Sequence, residues 1–327
     1  KTATTTDPVA RFAEDVADSL QRTPRQVPAM YLYDALGSAL FEAICQLPWY
    51  RITRAEQALL DAHAPAILAA AGMPGRIVEL GPGSGEKLAR LTTAAARDEA
   101  PVDVHLVDIS EAALDLARRT LSRAGAARIS LHHGTYEDGL RGALAGRTEA
   151  PVLVAFLGSN LGNFDPAEAR ALLAAVRRGL RPGDGLLLGL DLVKPEAVLQ
   201  LAYDDPLSVT AAFNLNVLRR MNDELGADFD LAGFKHRAVW NARESRVEMH
   251  LVSLRRQRVR VREAGLDLTL DAGESIWTES SHKFTPAAAG EIGAAAGFAA
   301  GRQWTDEEAG FALTLFTVDE QGSGAVR

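Results

Sequence analysis

Nine residues restrict this chain more than any other part of it. In Glu79-Leu80-Gly81-Pro82-Gly83-Ser84-Gly85-Glu86-Lys87, three glycines alternate with other residues where an apolar run, Arg76–Leu80, gives way to helical periodicity from Glu86. Glycines at a strand-to-helix passage let the main chain take positive φ and come close to a ligand without a Cβ in the way. The dinucleotide fingerprint G-x-G-x-x-G would need glycine at 86, where Glu86 stands, so a nicotinamide dinucleotide is disfavoured. Asp108 ends the next predicted strand, 25 residues after Gly83. A carboxylate there can accept from both hydroxyls of a ribose. Ser110 is the better cap for the helix that follows, which leaves Asp108 for a ligand.

Around this loop, short apolar runs alternate with helical segments, the pattern of a parallel sheet built from βαβ units. Strands are predicted at Arg76–Leu80, Val102–Asp108, Arg128–His133, Pro151–Leu157 and Gly185–Leu192. Helices are predicted near Glu86–Ala96, Glu111–Ala124 and Pro166–Leu180, the last with Asp165 as N-cap and Pro166 at its first position. Beyond Val193 come two helical segments, Pro195–Tyr203 and Ser208–Leu225, then a period of two. Arg237–Asn241 and Arg246–Leu254 read as a hairpin across Ala242–Ser245, and Arg256–Arg262 continues the alternation. A helix from Pro286 and a strand pair, Arg302–Thr305 with Phe311–Val318, close the chain, and Gln321–Arg327 reads as a disordered tail. The expected fold class is α/β, a Rossmann-like core with a second α+β domain. The core is expected at 53–193 and 283–327, the second domain at 1–52 and 194–282.

Composition removes several other classes. With 35 Lys+Arg against 43 Asp+Glu, the net charge is −8, which argues against nucleic acid as the main partner. The single cysteine, Cys45, excludes an internal disulfide framework and a cysteine-built metal centre. His132 and His133 are adjacent and would point to opposite faces of a strand, so no metal site is expected. No run approaches the ~20 apolar residues of a membrane span. The polar start from Lys1 to Asp7 lacks the apolar segment of a secretory signal, so a cytoplasmic protein acting as a monomer, away from membranes, is the expectation.

The spacing Glu79-x-Gly81-x-Gly83-x-Gly85 resembles that of Rossmann-like methyltransferases that bind S-adenosylmethionine (SAM). An acid at the strand end suits a ligand carrying an ammonium and a sulfonium. Four further segments sharpen the likeness: Tyr31-Leu32-Tyr33-Asp34-Ala35-Leu36-Gly37-Ser38, Pro48-Trp49-Tyr50-Arg51-Ile52-Thr53-Arg54-Ala55-Glu56, Phe156-Leu157-Gly158-Ser159-Asn160-Leu161-Gly162-Asn163 and Trp277-Thr278-Glu279-Ser280-Ser281-His282-Lys283-Phe284. In this order they resemble the histidine-specific N-methyltransferases of ergothioneine biosynthesis, which trimethylate the α-amine of L-histidine to hercynine. The resemblance runs from about Pro24 to Phe316.

It implies that Tyr50, Asn163, Tyr203, Glu279 and Ser281 contact L-histidine and that Gly81, Gly83, Lys87 and Asp108 contact SAM. Thr135-Tyr136 stands where the family carries an acid followed by an aromatic. A threonine hydroxyl can still accept from the adenine amino group, but a neutral acceptor bonds more weakly than a carboxylate. Catalysis is expected from Tyr33, holding a water that removes the amine proton, and from Asn163. Met249 is expected as a wall beside the imidazole, and Phe41 or Phe213 as an aromatic face for the quaternary product. Two alternatives stand beside this one: an N-methyltransferase for tryptophan or a tryptophan derivative, and a non-catalytic SAM-binding module. Glu279 with Ser281 disfavours the first, because an indole offers one donor and no acceptor. Intact Tyr50, Asn163 and Tyr203 disfavour the second.

Overall fold

The structure is a computed structural model that describes residues 7–96, 102–126, 128–299 and 301–319. In chain order the first elements are α1 (Pro8–Leu20), β1 (Arg25–Gln26), α2 (Ala35–Gln46) and α3 (Ile52–Ala70). The βα alternation follows as β2 (Arg76–Leu80), α4 (Glu86–Ala96), β3 (Asp103–Asp108), α5 (Glu111–Arg123), β4 (Arg128–His133), α6 (Tyr136–Leu144), β5 (Val152–Phe156), α7 (Pro166–Gly179) and β6 (Gly185–Asp191). Next come α8 (Glu196–Tyr203), α9 (Val209–Leu225), β7 (Phe234–Asn241), β8 (Arg246–Ser253), β9 (Gln257–Val261), β10 (Leu266–Leu270) and β11 (Ser275–His282). The chain then runs through α10 (Pro286–Ala295), β12 (Arg302–Asp306) and β13 (Phe311–Thr317). The tail expected to be disordered lies outside the described residues.

Two compact units divide the chain: Arg51–Lys194 with His282–Arg327, and Lys1–Tyr50 with Pro195–Ser281. The first holds a seven-stranded sheet in the order β12-β13-β6-β5-β2-β3-β4. Its strands from β6 to β4 are parallel, while β13 runs antiparallel to β6 and β12 antiparallel to β13. This is the Rossmann-like sheet the alternation implied. Every residue of β5 and β6 is buried, the result of helices covering both faces of a parallel sheet.

The sequence reading missed α6. Its nine residues include Gly139 and Gly142, which weaken a helical signal. The glycines are there for close packing: a Cβ at Gly139 would stand 2.2 Å from a methyl of Val107 on β3, and one at Gly142 2.9 Å from Nδ1 of His132 on β4.

In the second unit, a four-stranded sheet runs β1-β11-β8-β7, and β9 and β10 form a separate antiparallel ribbon. The hairpin of β7 and β8 has its register set by the four-residue connection, with Asn241 opposite Arg246. Helix α9 buries Phe213, Val217, Leu218, Met221 and Leu225 and packs on α2, β7 and β8. Among the described residues no helix is long and apolar enough to cross a membrane.

Candidate active site

In the larger unit, the glycine loop follows β2 at the carboxyl end of the parallel strands, where open α/β sheets take their ligands. Gly81, Gly83 and Gly85 have φ of 70°, 52° and 77°, and Gly81 donates its N–H to the Val107 carbonyl at 2.8 Å. A Cβ at Gly81 would stand 2.9 Å from both the Tyr136 hydroxyl and Nδ2 of Asn160. Any side chain there would close the space between those groups. Glu79 is buried, and Oε2 of its carboxyl meets no hydrogen-bond donor among the described residues. Burial pushes it well above the usual carboxylate range, against the pull of the Lys87 charge.

Asp108 stands at the end of β3, its Oδ1 accepting the Ser110 N–H at 2.9 Å. Ser110 caps α5, accepting from Ala113 N at 3.2 Å, so the aspartate is not consumed as the cap. Burial raises its carboxyl, although the N–H groups of Ser110 and Ile109 and the nearby His133 pull the other way. Tyr136 opens α6 with its ring edge-on to Phe156 at 5.2 Å. Burial, then the Asp108 charge, push its phenol above the normal tyrosine range. Thr135 has a local duty: its hydroxyl accepts from Asp138 N at 3.3 Å and donates to Asp138 Oδ2 at 3.0 Å. That commits its proton and one lone pair to the start of α6.

Lys87 reaches Glu56 on α3, with 2.8 Å between its Nζ and Oε2. Glu56 is fully buried, and both of its oxygens accept the Gly158 N–H at 2.9 Å. A Cβ at Gly158 would lie 2.8 Å from the Lys87 ammonium. The buried Glu56 therefore holds the turn after β5, a tight helical turn over Asn160–Asn163 that ends in Asn163. Ser159 enters it with φ of 60° and accepts the Asp191 N–H at 3.0 Å. Asp191 in turn carries Lys194 at 2.6 Å and Lys283 at 2.9 Å. The sequence reading named Lys87 and Asn163 but missed Glu56, whose only signal was a carboxylate inside an otherwise apolar helical stripe.

In the smaller unit, three of the side chains expected to hold histidine, Tyr203, Glu279 and Ser281, and Tyr33, expected to hold a water, meet in two pairs. The Tyr33 hydroxyl donates to Glu279 Oε1 at 3.2 Å, and the Tyr203 hydroxyl donates to Ser281 Oγ at 2.9 Å. Tyr203, Ser281 and Glu279 are all buried. Trp277 fixes the main chain between them, donating its indole N–H to the Glu279 carbonyl at 2.9 Å. Aromatic rings adjoin these pairs: Tyr33 lies 5.5 Å from Phe41 and 5.3 Å from Phe213, and Tyr50 lies 6.2 Å from both Phe41 and Tyr203. Tyr31, from the same aromatic-rich stretch, is instead core, stacked on Phe12 at 4.1 Å. Met249 is buried in β8, its carbonyl accepting from the Thr278 hydroxyl at 3.0 Å.

A carboxylate beside a hydroxyl that itself accepts from a tyrosine offers one acceptor and one donor. A neutral imidazole presents the complement, one N–H and one lone pair.

Residues 12–318 match the family described as histidine-specific methyltransferase, SAM-dependent. A histidine N-alpha-methyltransferase of Mycobacterium tuberculosis is 43% identical over 92% of this chain and 93% of its own. One from Mycolicibacterium smegmatis is 41% identical over the same shares. The ergothioneine biosynthesis protein 1 of Neurospora crassa is 28% identical over 78% of this chain and 31% of its own length.

Proposed function

Because the chain belongs to the histidine-specific, SAM-dependent methyltransferases, we propose that it methylates the α-amino nitrogen of L-histidine three times, forming hercynine and S-adenosylhomocysteine. The observation that carries the substrate is the pairing of Tyr33 with Glu279 and of Tyr203 with Ser281. Glu279 would accept the imidazole N–H, and Ser281, polarised by the Tyr203 proton, would donate to the ring's second nitrogen. Tyr50 and Met249 would flank the ring.

The residues of the larger unit suit SAM. The positive-φ loop Gly81–Gly85 opens space at the strand ends, and the unsatisfied Glu79 oxygen matches a ligand that brings N–H donors. Asp108 would take the ribose hydroxyls, Thr135 and Tyr136 the adenine side, and Lys87 the carboxylate of the methionine part. Bound SAM supplies an electrophilic methyl group on a sulfonium. The chain's part is to align the amine, exclude water and keep the amine unprotonated. Orientation alone can contribute ~7–11 kcal/mol in favourable cases.

An ammonium has no lone pair, so one proton must leave before each transfer. A neutral amide, Asn163, would orient the amine without holding it as a cation. Tyr33 would hold the water that takes the proton. Phe41 and Phe213 would favour the growing positive charge through their ring faces.

The test is mass spectrometry of reactions with excess SAM and histidine, phenylalanine or tryptophan. Mono- and dimethylhistidine are expected to appear transiently and trimethylhistidine to accumulate. Methylated tryptophan without methylated histidine would overturn the substrate, and a monomethyl end product would overturn the extent.

A further inference from the structure

The main chain at Tyr203 meets a residue that lies outside the pairs themselves. His236, on β7, places Nε2 2.8 Å from the main-chain carbonyl of Tyr203, the last residue of α8. Its Nδ1 lies 2.9 Å from Nδ2 of Asn214 on α9. These contacts determine where the ring's proton is. A carbonyl only accepts, so Nε2 carries a hydrogen. The same Asn214 nitrogen lies 3.2 Å from the His250 carbonyl, another group that only accepts, so it is the amide NH2. Its second hydrogen is aimed at Nδ1 of His236, which must therefore carry a lone pair. The ring is neutral and fixed in one tautomer.

We propose that His236 is a positioning residue for the substrate: its neutral ring holds the end of α8 that carries Tyr203 to the part of α9 that carries Phe213, and protonation of the ring releases that hold. This rests on the reading that Tyr203 and Ser281 receive the imidazole of the substrate.

Protonation has no good outcome at this position. A second ring N–H would face the NH2 of Asn214. Turning the amide over would meet that hydrogen with Oδ1, yet it would also set Oδ1 against the His250 carbonyl. Asn214 is fully buried, so water cannot repair either arrangement cheaply. The charged groups around the ring are few. Burial holds the ring below the normal histidine range, against the Tyr203 carbonyl and then Asp204 and Asp205 of the α8–α9 connection, which favour the cation.

Asp205 is already engaged, accepting from the N–H groups of Leu207, Val209 and Thr210 at 3.0, 3.2 and 2.8 Å. On β8, His250 is also kept below its usual range by burial, although Glu248 bonds it at 3.2 Å. From α9 the ring meets the uncharged Asn214. Because the folded state depresses the His236 pKa, the neutral contacts are complete above the ordinary histidine range and are lost as pH falls through the lowered value.

The experiment is steady-state kinetics of the full chain across pH, with wild type, His236→Gln and His236→Leu. Glutamine keeps an N–H for the Tyr203 carbonyl and an oxygen for the Asn214 amide, and it cannot titrate. The substrate's own groups titrate alike with every variant, so the ratio of variant to wild type isolates His236. The KM of wild type for histidine is expected to rise more steeply on the acid side than that of His236→Gln, so that their ratio is flat above the ordinary histidine range and climbs below it. His236→Leu is expected to raise KM for histidine about tenfold at every pH, with KM for SAM unchanged.

Identical pH profiles for wild type and His236→Gln would overturn the proposal, as would a His236→Leu enzyme whose two KM values rise together. Should the leucine variant fail to fold, the glutamine comparison decides alone. A wild type that methylates no histidine defeats the functional reading instead, before any variant is compared.

Discussion

The two units build their polar groups in opposite ways. In the larger one, the end proposed to take SAM owes much of its shape to main chain: three positive-φ glycines, the ends of β2, β3 and β5, and a turn held by the Gly158 N–H. In the smaller one it is side-chain pairs recruited from far apart, Tyr33 with Glu279 across 246 residues and Tyr203 with Ser281 across 78. A site made of backbone is tied to the fold that carries it, because altering it alters strand ends and helix starts. A site made of side-chain pairs can change what it reads while its sheet stays intact. Mutations in the first unit should therefore register as lost stability, and mutations in the second as altered choice of substrate.

The largest effect is expected at Glu56. Its carboxylate is fully buried between the Lys87 ammonium and the Gly158 N–H. Glu56→Ala removes the carboxylate that meets both the Lys87 ammonium and the Gly158 N–H, and breaking a buried pair typically costs about 3–5 kcal/mol. Lys87 retains 23% side-chain exposure, so the lower end of that range is expected from urea unfolding, with Glu56→Gln intermediate. A loss below about 1 kcal/mol, the size of one ordinary hydrogen bond, would mean that the turn after β5 stands without its carboxylate.

Glu279→Ala should act on specificity. The indole of Trp277 bonds the main-chain carbonyl of residue 279, which alanine keeps, so the strand retains its anchor and the melting temperature should change little. The expected loss in kcat/KM for histidine is ~1.5–3 kcal/mol, the range for a hydrogen bond to a charged group. Tryptophan should improve relative to histidine, since both bulk and an unpaired carboxylate are removed. If the variant keeps wild-type preference ratios among histidine, phenylalanine and tryptophan, Glu279 does not read the ring and the contrast between the units fails on that side.

The same contrast explains what could be read from sequence. The loop Gly81–Gly85, Asp108 and the cap Ser110 lie within one βαβ stretch, where spacing carries geometry, and β2 and β4 follow their predicted limits residue for residue. Local patterning failed where tertiary contact overrides it: α6 hides behind two glycines needed for packing, and Glu56 is a helical carboxylate whose partners lie on other elements. The hairpin of β7 and β8 was visible as alternation, and β10 was passed over although Leu266-Asp267-Leu268-Thr269-Leu270 alternates as clearly. Nothing in the spacing of Tyr33, Tyr203, Glu279 and Ser281 shows that they pair. Their grouping came from the family likeness, and the topology that realises it, β11 lying between β1 and β8, is not a local property.

The smallest effect is expected at Thr135, where the two kinds of construction meet in one residue. Threonine there is the N-cap of α6, at a position where the family resemblance implies an acid. Aspartate caps a helix as well as threonine does, so Thr135→Asp should leave the unfolding free energy within about 0.5 kcal/mol of wild type, the scatter of benign surface changes. It loses the bond that the hydroxyl now donates to Asp138 and sets a second carboxylate near the first. Asp138 is exposed and also paired with Arg141, so solvent and the guanidinium screen most of that repulsion. In return, a charged acceptor replaces a hydroxyl whose proton and one lone pair are already committed. Charge-assisted bonds are roughly twice as strong as neutral ones, which predicts SAM binding tighter by a few-fold in calorimetry. Unchanged SAM affinity with intact stability would assign Thr135 to the helix alone, and weaker binding would show that the repulsion between carboxylates outweighs the gain.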